Sequence, residues 1–232
     1  MTIAEVVVET LSSSRASYAL IGNGSLTTSS AGAGNPGAGP AVQEAAPDRM
    51  KKKNGEPVRT ITRFLTLAAH NNMQITNCTT PSNFFHLLRR QQVRDFRVPT
   101  IVFTPKSLLR HPKCISNIDE LAHGHFEEVI DDTNVDIHDV KRVVFCSGKI
   151  YYDLLQKKEE FNARDIALIR IEQFYPFPKK QVLDIIAKYS NTVKWLWVQE
   201  EPENMGAWNF IRNQITEVKL EPVCRAASGS PA

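Results

Sequence analysis

The sequence predicts an α/β fold: a mostly parallel sheet in a three-layer sandwich, preceded by a partial α/β domain and a disordered N-terminal segment. Three observations predict it. Strand and helix patterns alternate from residue 142 onward, a shorter alternation occupies residues 59–112, and a stretch rich in glycine, alanine and serine comes before them. Alternating strands and helices bury their apolar faces by forming a parallel sheet wrapped by helices through right-handed crossovers.

The alternation is clearest in the last ninety or so residues. Predicted strands cover 142–146, 165–172 and 194–199, and predicted helices cover 147–161, 177–189 and 205–215. In the helix at 177–189, Val182, Ile185, Ile186 and Tyr189 share one face, and Pro178 suits the first turn. A last pattern, residues 216–223, predicts an edge strand.

The preceding segment, residues 59–112, shows the same alternation of predicted helices and strands over a shorter length. Amphipathic helices are predicted over 62–72 and 80–91, the second with an apolar face of Phe84, Phe85, Leu87 and Leu88 behind a Thr80 or Ser82 cap. Short β-branched stretches at 73–78 and 99–105 predict strands. We therefore divide the chain into residues 1–58, 59–112 and 113–232.

Residues 1–58 contain seven of the eleven glycines, between Gly22 and Gly55. Such a segment has too few large side chains to offset its ordering entropy, so residues 12–58 are expected to be a linker or disordered. The stretch IAEVVVE, residues 3–9, could form a short strand.

Bulk composition excludes several classes of protein. A net charge of +3 with interleaved basic and acidic residues argues against nucleic-acid binding, and no apolar run is long enough to cross a membrane. The four cysteines and six histidines lack metal-site spacing, and His123 and His125 are expected to be exposed loop residues. Scattered thiols and the absence of a secretory pattern favour the cytoplasm, or a mitochondrial matrix in a eukaryote.

The stretch CSGK, residues 146–149, lies where a strand turns into a helix. Free backbone N–H groups and Lys149 could bind an anion there, although the glycine-rich phosphate-binding motifs are absent. The alternative is that Ser147 caps the helix and Gly148 permits a tight turn. Arg89 and Arg90 are a second candidate for an anion contact, if they face a cleft rather than coat a helix.

The stretch QEEPENMGAW, residues 199–208, puts Glu200 and Glu201 at the carboxyl end of a strand, where α/β folds place ligand sites. No neighbouring His, Lys or Cys completes a proton-transfer group, so no catalytic residue is assigned. We expect a structural loop instead: Pro202 ends the strand and Asn204 caps the helix that carries Trp208.

Six ordered motifs carry a family resemblance: NNMQITNCTTPSNFFHLLRRQ, TPKSLLRHPKCIS, CSGKIYYDLL, IALIRIEQFYPFP, WVQEEPENMGAW and RAASGSPA. From about Arg59 to Ala232 the chain resembles the C-terminal part of the decarboxylating component of 2-oxoglutarate dehydrogenase, in the transketolase-like superfamily. The resemblance implies that residues 59–112 are the end of a pyrimidine-binding domain and that residues 113–232 are the C-terminal domain.

The family implies thiamine diphosphate and magnesium as cofactors, and transfer of a succinyl unit to the lipoyl group of an acyltransferase partner. The G-D-G and asparagine motif for magnesium is absent from this sequence, so we expect the chain alone to bind neither cofactor and to be inactive. It is then expected to support assembly, as a homo-oligomer or with a full-length subunit. The alternative is a stand-alone module that senses an anion, a nucleotide or an acyl-coenzyme A.

Overall fold

The chain forms two sheets in the computed structural model, which describes residues 18–20, 42–43 and 60–229. The strands are β1 Tyr18–Leu20, β2 Val42–Gln43, β3 Gln74–Thr76, β4 Thr100–Pro105, β5 Val129–Ile130, β6 Arg142–Cys146, β7 Ile166–Ile171, β8 Gln173–Tyr175, β9 Lys194–Pro202 and β10 Leu220–Arg225. The helices are α1 Thr60–Leu67, α2 Pro81–Val93, α3 Ile118–His123, α4 Ile150–Glu160, α5 Lys179–Lys188 and α6 Trp208–Gln214, with a 3-10 helix at Lys106–Arg110.

The C-terminal sheet has the strand order β10-β9-β6-β7-β5. Its first four strands are parallel and β5 is antiparallel to β7, so the prediction of a mostly parallel sheet is confirmed. Strand β6 has the predicted bounds, and the predicted edge strand is present as β10, starting at Leu220 rather than at residue 216.

Helices cover both faces of this sheet. On one face, Ile150 and Leu154 of α4 pack against Val144 and Val198. On the other, residues of α5 and α6 pack against the opposite sides of the same strands; this cluster includes Val182, Ile185, Tyr189, Ile211, Ile215, Phe145 and Trp197. The three-layer sandwich predicted from the sequence is therefore confirmed.

The N-terminal sheet is built around β4, which is parallel to β3. Strand β8 lies antiparallel to β3, although in sequence it follows β7 of the other sheet. Strands β1 and β2 pair with β4 and come from the segment expected to be disordered. The rest of that expectation, and the possible strand at residues 3–9, lie outside the described residues.

Helix α2 differs from its predicted packing. Thr80 caps it, with Oγ1 accepting from the Asn83 N–H at 3.3 Å, as expected. Its buried residues, however, are mostly polar: Ser82, Asn83, His86, Leu87 and Gln91. The predicted apolar face is confirmed in part: Leu87 is buried and Phe84 packs with it against Cys78, Val102 and Phe126. The prediction is wrong for Phe85, which is 45% exposed, because much of the buried side of α2 is polar.

The two sheets share one apolar core. Leu65, Ile75, Ile101 and Phe103 of the N-terminal part belong to the same buried cluster as Phe145, Trp197 and Ile211 of the C-terminal part. Burying apolar area across this junction stabilises both sheets together.

Candidate functional site

The carboxyl ends of β6, β7 and β9 meet at one edge of the C-terminal sheet, where ligand sites form in α/β folds. Ser147 follows β6, Glu172 follows β7, and Glu200 lies near the end of β9. Ser147 and Lys149 are half-buried, whereas Glu172 and Glu200 are buried. This edge faces the loop between β3 and α2, since the Asn77 N–H donates to the Glu172 carbonyl oxygen at 2.8 Å.

Lys149 and Glu200 form an ion pair at this edge, which brings together two of the residues singled out in the sequence. Lys149 Nζ lies 2.9 Å from Glu200 Oε1 and 3.9 Å from Asp153 Oδ2. Burial raises the pKa of Asp153, with the Lys149 ammonium opposing the rise. Two carboxylates surround one ammonium, so the local charge does not favour an anion beside Lys149.

The turn at Ser147 and Gly148 differs from the expected cap. Ser147 does not cap the helix: Lys149 occupies the cap position without a side-chain hydrogen bond, and Ser147 Oγ has no partner within the described residues. Gly148 has φ +69°, and a Cβ there would lie 2.4 Å from Asn77 Nδ2. Glycine is therefore required both by the backbone conformation and by the close approach of Asn77.

Arg89 and Arg90 have different environments. Arg89 is exposed, whereas Arg90 donates to Glu128 Oε1 at 2.7 Å, Gln173 Oε1 at 2.6 Å and Gln74 Oε1 at 3.1 Å. Burial lowers the pKa of Arg90 to about 10, so it remains charged near neutral pH. Arg90 and Lys149 thus have separate sets of partners, and Arg90 joins α2 to β3 and β8.

Replacing Arg90 by alanine is expected to lower the free energy of unfolding by about 2–4 kcal/mol, because Glu128 and two glutamine oxygens lose a charged donor. Arg89→Ala is the matched control, since Arg89 is the neighbouring residue on the same helix but is exposed. Its effect is expected to stay within about 0.5 kcal/mol. Urea denaturation of the two variants checks this, and equal losses would contradict the assigned role of Arg90.

The loop after β9 is organised by Gln199, a residue that the sequence analysis did not single out. Gln199 Oε1 accepts from Trp197 Nε1 and from the Trp208 N–H, both at 2.9 Å. Its Nε2 donates to three backbone oxygens at 2.7–3.2 Å, those of Glu201, Pro202 and Met205. A polar residue inside the otherwise apolar strand WLWVQ was the available signal.

The other loop residues are held from outside the loop. The Asn204 side chain exchanges two 3.0 Å hydrogen bonds with the Ser228 backbone. The expectation that Asn204 caps the helix is wrong, because α6 begins at Trp208 and Ala207 occupies its cap position. Arg225 Nε donates to the Glu200 carbonyl oxygen at 3.2 Å. Each of these contacts fixes loop conformation, and Glu201 is half-buried beside them.

Gly206→Ala is expected to destabilise the protein by about 1–3 kcal/mol. Gly206 has φ +69°, and an added Cβ would lie 2.7 Å from Gln199 Nε2. Gly229→Ala is the matched control because nothing lies within 4 Å of its added Cβ. Thermal denaturation compares the two variants, and a Gly206→Ala protein as stable as the control would rule out this strained geometry.

Glu172 is a second buried hub that the sequence analysis missed. It is 0% exposed, and its carboxylate accepts from the Thr79 N–H at 2.8 Å, Thr79 Oγ1 at 2.6 Å and Asn83 Nδ2 at 2.9 Å. The Thr79 carbonyl oxygen accepts in turn from the Tyr152 hydroxyl at 2.8 Å. Burial raises the pKa of Glu172, while Arg170, Thr79 and Asn83 oppose the rise. The loop before α2 is thereby fastened to the C-terminal sheet.

Residues 60–229 and the two short strands contain no group of three or more His, Cys, Asp or Glu side chains that could hold a metal. His123 and His125 are exposed, as predicted, but His123 is the last residue of α3 rather than a loop residue. The part of the chain that is described also has no helix long and apolar enough to span a bilayer.

Comparison with known families gives two matches. Residues 115–232 match the family described as 2-oxoglutarate dehydrogenase C-terminal, and residues 57–112 match the pyrimidine-binding domain of transketolase.

Individual relatives agree with these matches. The 2-oxoglutarate dehydrogenase E1 component of Cupriavidus necator is 49% identical over 178 residues, which is 74% of this chain and 19% of the relative. The E1 component of Haemophilus influenzae is 48% identical over 176 residues, covering 73% of this chain and 19% of the relative. A probable 2-oxoadipate dehydrogenase complex component E1 homolog of Dictyostelium discoideum is 40% identical over 209 residues, covering 84% and 23%. The chain thus spans about a fifth of the length of the relatives it matches.

The mostly parallel sandwich and the preceding segment, which matches a pyrimidine-binding domain, define a transketolase-like part of a thiamine-diphosphate-dependent E1 component. The chain belongs to the 2-oxoglutarate dehydrogenase C-terminal family, and it corresponds to the C-terminal part of that E1 component.

Proposed function

We propose that this chain acts as the C-terminal scaffold of a 2-oxoglutarate-decarboxylating component. In this role the C-terminal sheet holds the end of the pyrimidine-binding domain in place, and the chemistry takes place on segments that bind the cofactor. The observation that carries the proposal is the joint between the two parts: a shared apolar core together with the buried contacts of Glu172 with Thr79 and Asn83.

Thiamine diphosphate, magnesium and the acyltransferase partner belong to this proposal through the family. A diphosphate held by magnesium needs several oxygen ligands placed together. The described residues contain no group of three or more His, Cys, Asp or Glu side chains that could hold a metal, and no reaction step is assigned to them. We propose that the cofactor groups are held by other segments of the complete enzyme.

The proposed surroundings of the scaffold also follow from the family. We propose assembly as a homo-oligomer or with a full-length subunit, delivery of the acyl unit to a lipoyl-bearing acyltransferase, and a location in the cytoplasm or mitochondrial matrix. Neither nucleic acid nor a membrane is among the partners that we propose.

The proposal is tested by assaying carbon dioxide release from 2-oxoglutarate in the presence of thiamine diphosphate and magnesium. The chain alone is expected to be inactive. Co-expression with the Cupriavidus necator E1 component truncated at the start of its matching segment is expected to restore activity. Turnover by the chain alone, or failure to rescue despite formation of a complex, would contradict the scaffold role.

The anion-sensing alternative remains a prediction with its own test. It requires AMP or acetyl-coenzyme A to bind near Ser147 and Lys149, or near Arg89 and Arg90. Calorimetric titrations compare the wild type with Lys149→Ala. We expect the substitution to remove no binding of either ligand, because Glu200 and Asp153 already balance the Lys149 charge. Saturable binding lost in that variant would favour the alternative.

A further inference from the structure

A cavity of about 420 Å³ lies at the junction of the two parts, and its lining includes neither Lys149 nor Glu200. Its walls come from the start of α2, from the segment around α3, and from α4 and β7. The volume falls in the range of small-molecule sites, about 300–1,000 Å³. The lining is mixed, with Ile115, Ile130 and Leu155 supplying apolar surface and Ser82 supplying a hydroxyl.

Arg170, at the end of β7, supplies a cation to this cavity. Its guanidinium carbon lies 4.3 Å from the centroid of the Tyr151 ring, so the planar group is held by stacking. Nη1 donates to Thr79 Oγ1 at 3.0 Å, and Nε is buried without a hydrogen-bond partner in the described part of the chain. A guanidinium has five N–H donors, and because Nε is out of reach of solvent, the donors that a ligand can reach are those of the two Nη atoms.

The other charges around the cavity limit what can bind. Lys113 is already paired with Glu159, and both Glu120 and Glu127 line the wall. Arg170 is then the lining cation that forms no salt bridge among the described residues, although it interacts electrostatically with the buried Glu172 carboxylate. The two glutamates in the lining repel multiply charged ligands. Burial raises the pKa of Tyr151, whose ring lies against the Arg170 guanidinium.

We propose that this cavity binds a small organic monocarboxylate. The carboxylate is received by the guanidinium of Arg170, whose planar fork matches the two carboxylate oxygens. The apolar body of the ligand lies against Leu155, Ile130 and Ile115. A phosphate group, which carries up to two negative charges near neutral pH, is disfavoured by Glu120 and Glu127.

The test is isothermal titration of the full chain with hexanoate, hexanamide and inorganic phosphate. Hexanoate is expected to bind saturably at one site. Hexanamide, which has the same body without the charge, is expected to bind at least about tenfold more weakly, as is phosphate. Lack of saturable hexanoate binding, equal binding of the amide, or tighter binding of phosphate would each overturn the proposal.

Two variants locate the site. Arg170→Lys keeps the charge but removes the fork, and about a tenfold loss of hexanoate affinity is expected. Arg142→Lys is the matched control on strand β6, where Arg142 pairs with Asp165 outside this cavity, and unchanged affinity is expected. Leu155→Trp fills the cavity without altering Arg170 and is expected to abolish binding, so it tests the location even if Arg170→Lys fails to fold. Full affinity in Leu155→Trp, or equal losses in the two arginine variants, would contradict the assignment.

Discussion

Replacing Gln199 by alanine is expected to lower the free energy of unfolding by about 3–5 kcal/mol, among the largest effects of a single substitution in this chain. The substitution leaves the Trp197 indole N–H and the Trp208 backbone N–H without their acceptor. It also removes the donor shared by three backbone oxygens of the loop. Each buried group left without a partner costs about 1–3 kcal/mol, and these costs overlap because they arise from one side chain.

Chemical denaturation measures this effect, with Gln92→Ala as the matched control on the exposed side of α2. The control is expected to change the free energy by no more than about 0.5 kcal/mol. Tryptophan fluorescence adds a local readout, because Trp197 and Trp208 both contact Gln199. A Gln199→Ala protein with wild-type stability and an unchanged spectrum would show that the loop does not depend on this amide.

Replacing Glu172 by leucine is expected to cost about 2–4 kcal/mol, because the Thr79 N–H and the Asn83 amide lose their buried acceptor. The exposed Glu203 provides the control, and Glu203→Leu is expected to stay within about 0.5 kcal/mol. Urea denaturation again gives the comparison. Similar stabilities for the two variants would show that Glu172 does not stabilise the junction between the two parts.

The same residue predicts a pH dependence. Burial raises the pKa of Glu172 in the folded state above its ordinary value of 4.5. Between pH 4.5 and the folded-state pKa, the native state therefore binds more protons than the unfolded state. The stability contributed by Glu172 is therefore complete below pH 4.5 and declines as the pH rises through the folded pKa. Glu172→Gln removes this titration.

The pH prediction is checked by measuring wild type and Glu172→Gln at several pH values. The stability of wild type relative to the variant is expected to fall as the pH rises from about 4.5, and to level off once Glu172 is ionised in the folded state. A relative stability that increases over the same interval would reverse the assigned direction of the pKa shift.

The regular elements could be predicted from the sequence because their periodicity is strong. The β6 stretch RVVFC and the α5 face of Val182, Ile185 and Tyr189 are each long enough to show a pattern, and each matches the structure. Strand β5 has only two residues and β8 only three, so neither shows a period, and both pair through contacts distant in sequence.

The site residues were harder to predict for a physical reason. Gln199 and Glu172 matter through partners that the fold brings close: Glu172 lies 93 residues from Thr79 in sequence. The buried polar face of α2 could not be predicted from the sequence, because Asn83 and His86 are buried through hydrogen bonds rather than through hydrophobicity. A polar residue inside a buried strand, as with Gln199, or directly after one, as with Glu172, is the local signal that both hubs offer.

The central claim is that the C-terminal sheet and the preceding segment form one cooperative unit, and native-state hydrogen exchange tests it most directly. Amides of β4 in the N-terminal sheet and of β7 in the C-terminal sheet are expected to exchange with the same opening free energy, close to that of global unfolding. Glu172→Leu is expected to lower both values by the same amount. Exchange of the β4 amides at a much lower free energy, with the β7 amides unaffected by the substitution, would contradict the account.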